Sequence, residues 1–396
     1  MSLALVFMLV LYLSFRGSES LKIYTITCHD VYNYGASLQA YALMRYLIKC
    51  DNDVEIIDYK PDYLSNHYKL LSIHNPKWKK NIITKSIYLV LKIPGRIPGL
   101  NRKKAFDKFK KDYLKLTELR YKSNEDLKKN VPIGDVYLCG SDQIWNTLFQ
   151  NGKDPAFYLD FVPDEKIKAS YAASFATDSI PEKYKPMIKE KIERLDGVGV
   201  REKSGVEILK NLNIKMAVNV VDPVFLLDKK DWDVITKEEY GEKYILVYDF
   251  DDNQLIKKIA LDISKEKGYK IYSLNPGKLK YADSNFTFHG PETFVSLIRN
   301  AQFVIANSFH AAVFSIIYEK EFVIVNRKEA INTRMKDLLE DLKLKNRLIS
   351  DTFTLDDVLK KIDFSDSKKI LNEKIGFSKK YLRDVISLSE RMRNVL

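Results

Sequence analysis

The chain has 396 residues, of which 45% are hydrophobic and 30% charged; this balance excludes wholesale disorder, and the length exceeds one ordinary core, so two domains flanking a cleft are expected. Its net charge of +12 is concentrated in residues 60–130, where 19 Lys/Arg face 6 Asp/Glu, leaving the remainder near neutral. Cys28, Cys50 and Cys139 form no CxxC and share no ligand spacing with the five histidines, which argues for reduced cytosolic thiols and against a structural metal.

In chain order, residues 1–20 stand apart. Leu3 to Phe15 is almost wholly apolar, yet falls short of the roughly 20 residues that span a bilayer and lacks the basic start of a signal peptide. A weak signal or anchor and an interfacial helix compete with the preferred reading, an extension outside the fold, because a strand pattern begins only at Leu21. Lys22–Thr27 reads as a strand, Cys28–Gly35 as a polar loop, Ser37–Ile48 as a helix with apolar residues at i, i+3, i+4 steps, and Val54–Tyr59 as a strand.

The basic segment follows. It predicts a helix over Trp78–Lys92, a break at Pro94-Gly95 and Pro98-Gly99, and a second helix over Arg102–Leu114. Trp78, Ile82, Tyr88 or Ile87, and Leu91 share a helical face flanked by Lys79, Lys80 and Lys85, a pattern suited to the headgroup layer of an anionic membrane. The plainer reading packs this helix on the first domain with its lysines solvated.

Regular alternation then resumes. Strands are predicted at Val136–Cys139, Ala169–Ala173, Gly197–Val200 and Met216–Val221, with helices at Pro181–Leu195 and Ser204–Leu212. The pattern starts over with strands at Tyr244–Tyr248, Lys270–Leu274, Phe303–Ala306 and Phe322–Val325, and helices at Asn253–Lys267, Pro291–Asn300 and Phe309–Tyr318; a last helix covers Ser378–Asn394. The fold class is therefore α/β, with two Rossmann-like doubly wound domains facing a cleft: residues 21–228 with a basic insertion at about 60–130, then 229–375, then a C-terminal helix in 376–396. Ligands of such sheets bind beyond the carboxyl ends of the strands. That rule selects His29–Gly35, Gly140–Trp145, Ser174, Arg201 and Asn307–His310.

Each spot has a chemical and a plain reading. His310 falls in the first turn of a helix, where the dipole favours an anion and an imidazole can serve as general acid or base; a buried capping turn is the alternative. Arg201, at a strand end, can grip carboxylate or phosphate with its planar fork, or form a salt bridge to Glu202 or Asp222. Asn33 and Gly35 form a small-residue turn that can hold an anion or be a tight turn alone. Ser141, Asp142, Trp145 and Asn146 mix hydrogen-bonding groups with an indole, as sugar sites do, but a cap with Trp145 in the core fits equally well. The Asp249–Asp252 cluster reads as helix capping, and no metal site is expected.

Taken together these loops resemble those of the polysaccharide pyruvyl transferases. Val31-Tyr32-Asn33-Tyr34-Gly35-Ala36-Ser37-Leu38-Gln39-Ala40-Tyr41-Ala42-Leu43 is similar to the family's N-terminal signature, and Gly140–Asn146, Tyr171–Phe175, Val200–Lys203 and Asp222-Pro223 resemble its central motifs in order. Asn307-Ser308-Phe309-His310-Ala311 resembles a branch that usually reads Asp-Ser-Phe-His-Gly, so Asn307 loses a carboxylate and Ala311 narrows backbone approach. The resemblance implies a GT-B-like pair of domains, phosphoenolpyruvate as donor, no cofactor, and a sugar or lipid-linked oligosaccharide of a surface polysaccharide as acceptor. By the same token Arg201 would bind the donor's anionic end, His310 would sit at the reaction centre, and Ser174, Asn307, Ser308 and Phe309 would line the substrate site. The cysteine usage and the basic segment together point to a cytoplasmic protein, attached peripherally to the inner membrane face if that segment binds lipid. A nucleotide-sugar glycosyltransferase on the same architecture and a non-catalytic polyanion binder are the rival functions; nucleic acid is not expected as a partner.

Overall fold

The computed structural model describes residues 20–65, 81–236, 238–327 and 333–393. The apolar extension and Trp78–Lys80 of the basic segment lie outside them. Among the described residues, 13 strands form two parallel sheets, ordered β3-β2-β1-β4-β5-β6-β7 and β10-β9-β8-β11-β12-β13.

In the first domain β1 (Lys22–Ile26) leads into helix α1 (Tyr34–Lys49), whose N-cap Asn33 accepts a hydrogen bond from the Ala36 amide. After β2 (Asp53–Tyr59), helix α2 runs from Ile82 to Tyr113. It does not break at the proline–glycine pairs. Pro94 and Pro98 lie one turn apart, so the donors they lack fall on one face of the helix, while the Asn81–Thr84 capping box secures its start. Then come β3 (Leu116–Tyr121), β4 (Val136–Cys139), β5 (Ile167–Ala173), helix α3 (Lys185–Glu193), β6 (Gly197–Val200), helix α4 (Lys203–Asn211) and β7 (Ala217–Asn219). Edge strand β3 was hidden by its polarity, since four of its six residues are at least partly exposed.

The second domain comprises β8 (Tyr244–Tyr248), helix α5 (Gln254–Lys267), β9 (Lys270–Ser273), β10 (Ser284–Asn285), helix α6 (Pro291–Asn300), β11 (Phe303–Ala306), helix α7 (Phe309–Ile317), β12 (Glu321–Val325), helix α8 (Thr333–Asp341) and β13 (Leu348–Ile349). Central strands β4, β6, β8 and β11 are buried at every position, which is why they read as continuous apolar runs.

One apolar core joins the domains. The Tyr34 ring of α1 lies between Phe106 of α2 and Phe294 of α6, 5.1 Å from each centroid. Trp232, fully buried, touches Tyr41 of α1 at 5.7 Å and Phe314 of α7 at 4.8 Å. Buried Arg102 on α2 donates to Tyr34 Oη (2.7 Å) and to the Thr287 carbonyl (3.2 Å), tying the basic insertion to the second domain. Among the described residues no helix is long and apolar enough to cross a membrane.

The last helix, α9 (Ser365–Arg393), begins thirteen residues earlier than its sequence pattern suggested and returns to the first sheet. Tyr381 Oη donates to the Ser170 carbonyl (2.8 Å), and the Val221 amide donates to Ser378 Oγ (3.0 Å). Glycines in β6 make this approach possible, because a Cβ on Gly197 would stand 2.8 Å from Val385 Cγ2. Leu382 is completely buried in this contact. Leu382→Ala should therefore destabilise the protein by about 2–5 kcal/mol, read as a lower midpoint in chemical denaturation; an unchanged midpoint would mean that α9 does not clasp the first domain in solution.

Candidate active site

Each sheet reverses its strand order at one point, between β1 and β4 in the first and between β8 and β11 in the second. Crevices outside the carboxyl ends at such points are where doubly wound sheets bind ligands. Here the two crevices face each other. Val31, Asn33, Asp142 and Gln143 from the first domain meet Phe250, Asn307, Ser308, Phe309 and His310 from the second around a cavity of about 280 Å³, which Arg327, Arg334 and Met335 complete.

His310 occupies the second position of α7, after N-cap Ser308, whose Oγ accepts from the Ala311 amide (3.4 Å). The imidazole is almost fully buried and held between two contacts. Its Nε2 stands 3.6 Å from Asp222 Oδ2 without a hydrogen-bond partner in the protein, and its Nδ1 edge abuts Gly35. A Cβ added at Gly35 would lie 1.9 Å from His310 Nδ1. Gly35 is thus needed for close approach across the cleft.

Behind the imidazole lies a buried ion cluster. Arg201 donates from Nη1 to Asp222 Oδ2 (2.8 Å) and from Nε to Glu202 Oε1 (3.2 Å), while Ser174 Oγ donates to the same Glu202 oxygen. Both salt bridges weighed from sequence are present, but Arg201 Nη2 keeps no hydrogen-bond partner. Burial favours the neutral carboxyl of Asp222, yet the adjacent His310 imidazole and the Arg201 guanidinium outweigh it and hold the group well below the carboxylate range. Burial raises Glu202 despite the same arginine.

Two guanidinium groups lie against Phe309, with Arg201 at 4.9 Å from its ring centroid and Arg334 at 5.6 Å. Arg334 lines the cavity, whereas Arg201 does not. Burial, followed by the charge of Arg201, pushes Arg334 down to about 10, and its Nε has no hydrogen-bond partner. Arg334 sits on α8, a helix absent from the sequence reading. Met335, Leu338 and Leu339 at i, i+3, i+4 spacing would have revealed the helix, though nothing in that spacing marks Arg334 as facing the cleft.

The other selected residues divide in two. Asn33, Asp142, Asn307, Ser308 and Phe309 line the cavity. Asn307 donates to Asp249 Oδ1 (2.7 Å) and accepts from the Phe250 amide (2.9 Å), so a carboxylate lies next to the position that lost one. Ser141, Trp145, Asn146 and Ser174 are fully buried. Trp145 is a core residue: its Nε1 donates to the Phe157 carbonyl (3.0 Å) and its ring stacks on Tyr158 at 5.5 Å. Asn146 Nδ2 donates to Gln143 Oε1 (2.8 Å), and Ser141 Oγ to the Ala172 carbonyl (2.8 Å); both shape the loop rather than face the cavity. Among the described residues no group of three or more His, Cys, Asp or Glu is placed to hold a metal ion.

Residues 33–329 match the family described as polysaccharide pyruvyl transferase. Comparison with curated proteins finds no match. Among solved structures, UDP-N-acetylglucosamine 2-epimerase from Rickettsia bellii is 13% identical, with 96% of this chain and 99% of that chain covered at a TM-score of 0.48. UDP-GlcNAc 2-epimerase from Methanocaldococcus jannaschii, in complex with UDP-GlcNAc and UDP, is 12% identical, with 90% and 94% covered at a TM-score of 0.46.

The buried Asp222 sets an acid limb. Its folded pKa is depressed, so its contribution is complete above the unfolded value, about 3.9, and is lost as pH falls from there toward the folded value. Asp222→Asn should cost about 3–5 kcal/mol at neutral pH by stripping a partner from buried Arg201. It should also flatten the fall in unfolding free energy below pH ~4. Denaturant melts across that range check both, and parallel pH curves for parent and variant would contradict the assignment.

Proposed function

The chain belongs to the polysaccharide pyruvyl transferase family, and from that premise we propose that it moves the pyruvyl group of phosphoenolpyruvate onto two hydroxyls of a sugar, forming a cyclic ketal. The observation that carries the reading is the cavity where His310, Arg334 and the N-terminus of α7 converge. Phosphoenolpyruvate has a carboxylate and a phosphate. A buried guanidinium and the unpaired amides of a helix start are matched to such a doubly anionic donor.

In the proposed reaction C3 of phosphoenolpyruvate takes a proton, which makes C2 electrophilic. One acceptor hydroxyl adds at C2; the second then displaces phosphate as the C2–O bond to it breaks. Of the two hydroxyl protons released, one balances the proton taken at C3 and the other leaves with phosphate. His310 is the group for proton transfer, with its Nε2 toward Asp222. Arg334 stabilises the anionic donor and the departing phosphate. Arg201, engaged by Glu202 and Asp222 and set behind Phe309, acts in this scheme by fixing Asp222 rather than by gripping the donor.

Phosphoenolpyruvate should raise the melting temperature of the protein, and UDP-sugars should not raise it comparably. The reverse order would replace this reading with a nucleotide-sugar transferase. His310→Ala should leave the fold intact and reduce phosphate release by about 10²–10⁴-fold; activity within about tenfold of the parent would remove His310 from the chemistry. Arg334→Met should weaken donor binding by about 1.5–3 kcal/mol, measured by calorimetry, and unchanged donor affinity would exclude Arg334 from the donor site.

A further inference from the structure

A second, larger groove lies on the other side of α8. It holds about 790 Å³ against about 280 Å³ for the inner cavity. The two share one turn of helix, since Arg334 and Met335 line the cavity while Thr333, Lys336 and Asp337 line the groove. Leu148, Ile180 and Pro181 contribute the first domain's apolar part, and hydroxyls come from Thr177, Ser179 and Thr333. Among the described residues lining it, two carboxylates, Asp178 and Asp337, face a single cation, Lys336. The inner cavity has the opposite balance, with Arg327 and Arg334 against Asp142.

Resting on the pyruvyl-transfer reading, we propose that this groove binds the acceptor, and that the acceptor is an extended, uncharged oligosaccharide chain rather than a nucleotide diphosphate sugar. Three observations support this. First, the inner cavity has room for a small donor and one sugar ring, whereas the groove is nearly three times larger and can take the sugars that follow in a chain. Second, its surface alternates apolar patches with hydroxyl, amide and carboxylate groups. The apolar patches suit the C–H faces of pyranoses, and the polar groups suit their hydroxyls. Third, among the described lining residues its two carboxylates, Asp178 and Asp337, outnumber the one cation, Lys336, a balance that disfavours a diphosphate. Charge thus sorts the ligands, with the anionic donor sent inward and the uncharged chain outward.

The test uses the full chain and two exposed positions, Ser179→Arg and Leu148→Arg, which narrow the groove without touching the inner cavity. The probes are depyruvylated fragments of the producing organism's surface polysaccharide, graded from monosaccharide upward, and UDP-sugars as the rival class. Calorimetry without donor should show affinity rising about tenfold from single sugars to longer fragments, a gain of about 1.4 kcal/mol. Both variants should abolish that gain while leaving the melting shift caused by phosphoenolpyruvate unchanged. Binding independent of fragment length, tighter binding of UDP-sugars, or variants that bind like the parent would each overturn the proposal. If phosphoenolpyruvate produces no melting shift while length-dependent, variant-sensitive binding persists, the donor reading falls and the groove assignment stands.

Discussion

The contact between Gly35 and His310 sets the width of the cleft. One partner opens the first helix of the first domain and the other opens the helix after the switch point of the second. With no side chain at residue 35 the imidazole fits against the backbone. Everything lining the cavity then follows from that spacing, because the aromatic sandwich around Tyr34 and the Trp232 bridge hold the helices behind it in one packed core. An interface this apolar does not slide freely. The geometry of the groups lining the cavity is accordingly a property of the packing, set before any ligand arrives.

Phe309 has a related electrostatic task. Two buried guanidinium groups so near one another repel, which helps push Arg334 down to about 10, while the Phe309 ring offers each a cation–π contact. Arg201 is neutralised by Asp222 and Glu202. Among the described residues, Arg334 makes its ion pair with Asp142, at 4.0 Å. The imbalance leaves one cation satisfied by the protein and one poised toward the cavity.

The doubly wound class and most central strands were legible in the sequence, because a buried parallel strand leaves a continuous apolar run that survives without context. Strands Gly197–Val200, Tyr244–Tyr248 and Phe303–Ala306 fall where that signal puts them. Edge strands such as β3 and two-residue strands such as β10 carry little of it. His310, Asn33 and Asp142 line the cavity and were selected because the carboxyl-end rule points to loops. Trp145 satisfied the same rule yet turned inward, since its indole N–H finds a carbonyl partner in the core. Arg334 escaped the rule because it lies on a helix, and its position depends on how α8 packs across the cleft, which no local pattern encodes.

The closing helix α9 bears on how the protein is made. A ribosome releases the chain from its N-terminus, and domains ordinarily fold as they emerge. Here the face of β6 occupied by Tyr381 and Val385 stays bare until those residues, which follow the second domain in the chain, have been translated. The first domain must wait, partly assembled, through the synthesis of the entire second domain. The glycine-lined strand gains its cover only then, so the order of synthesis leaves the packing of the domain begun first to be completed last.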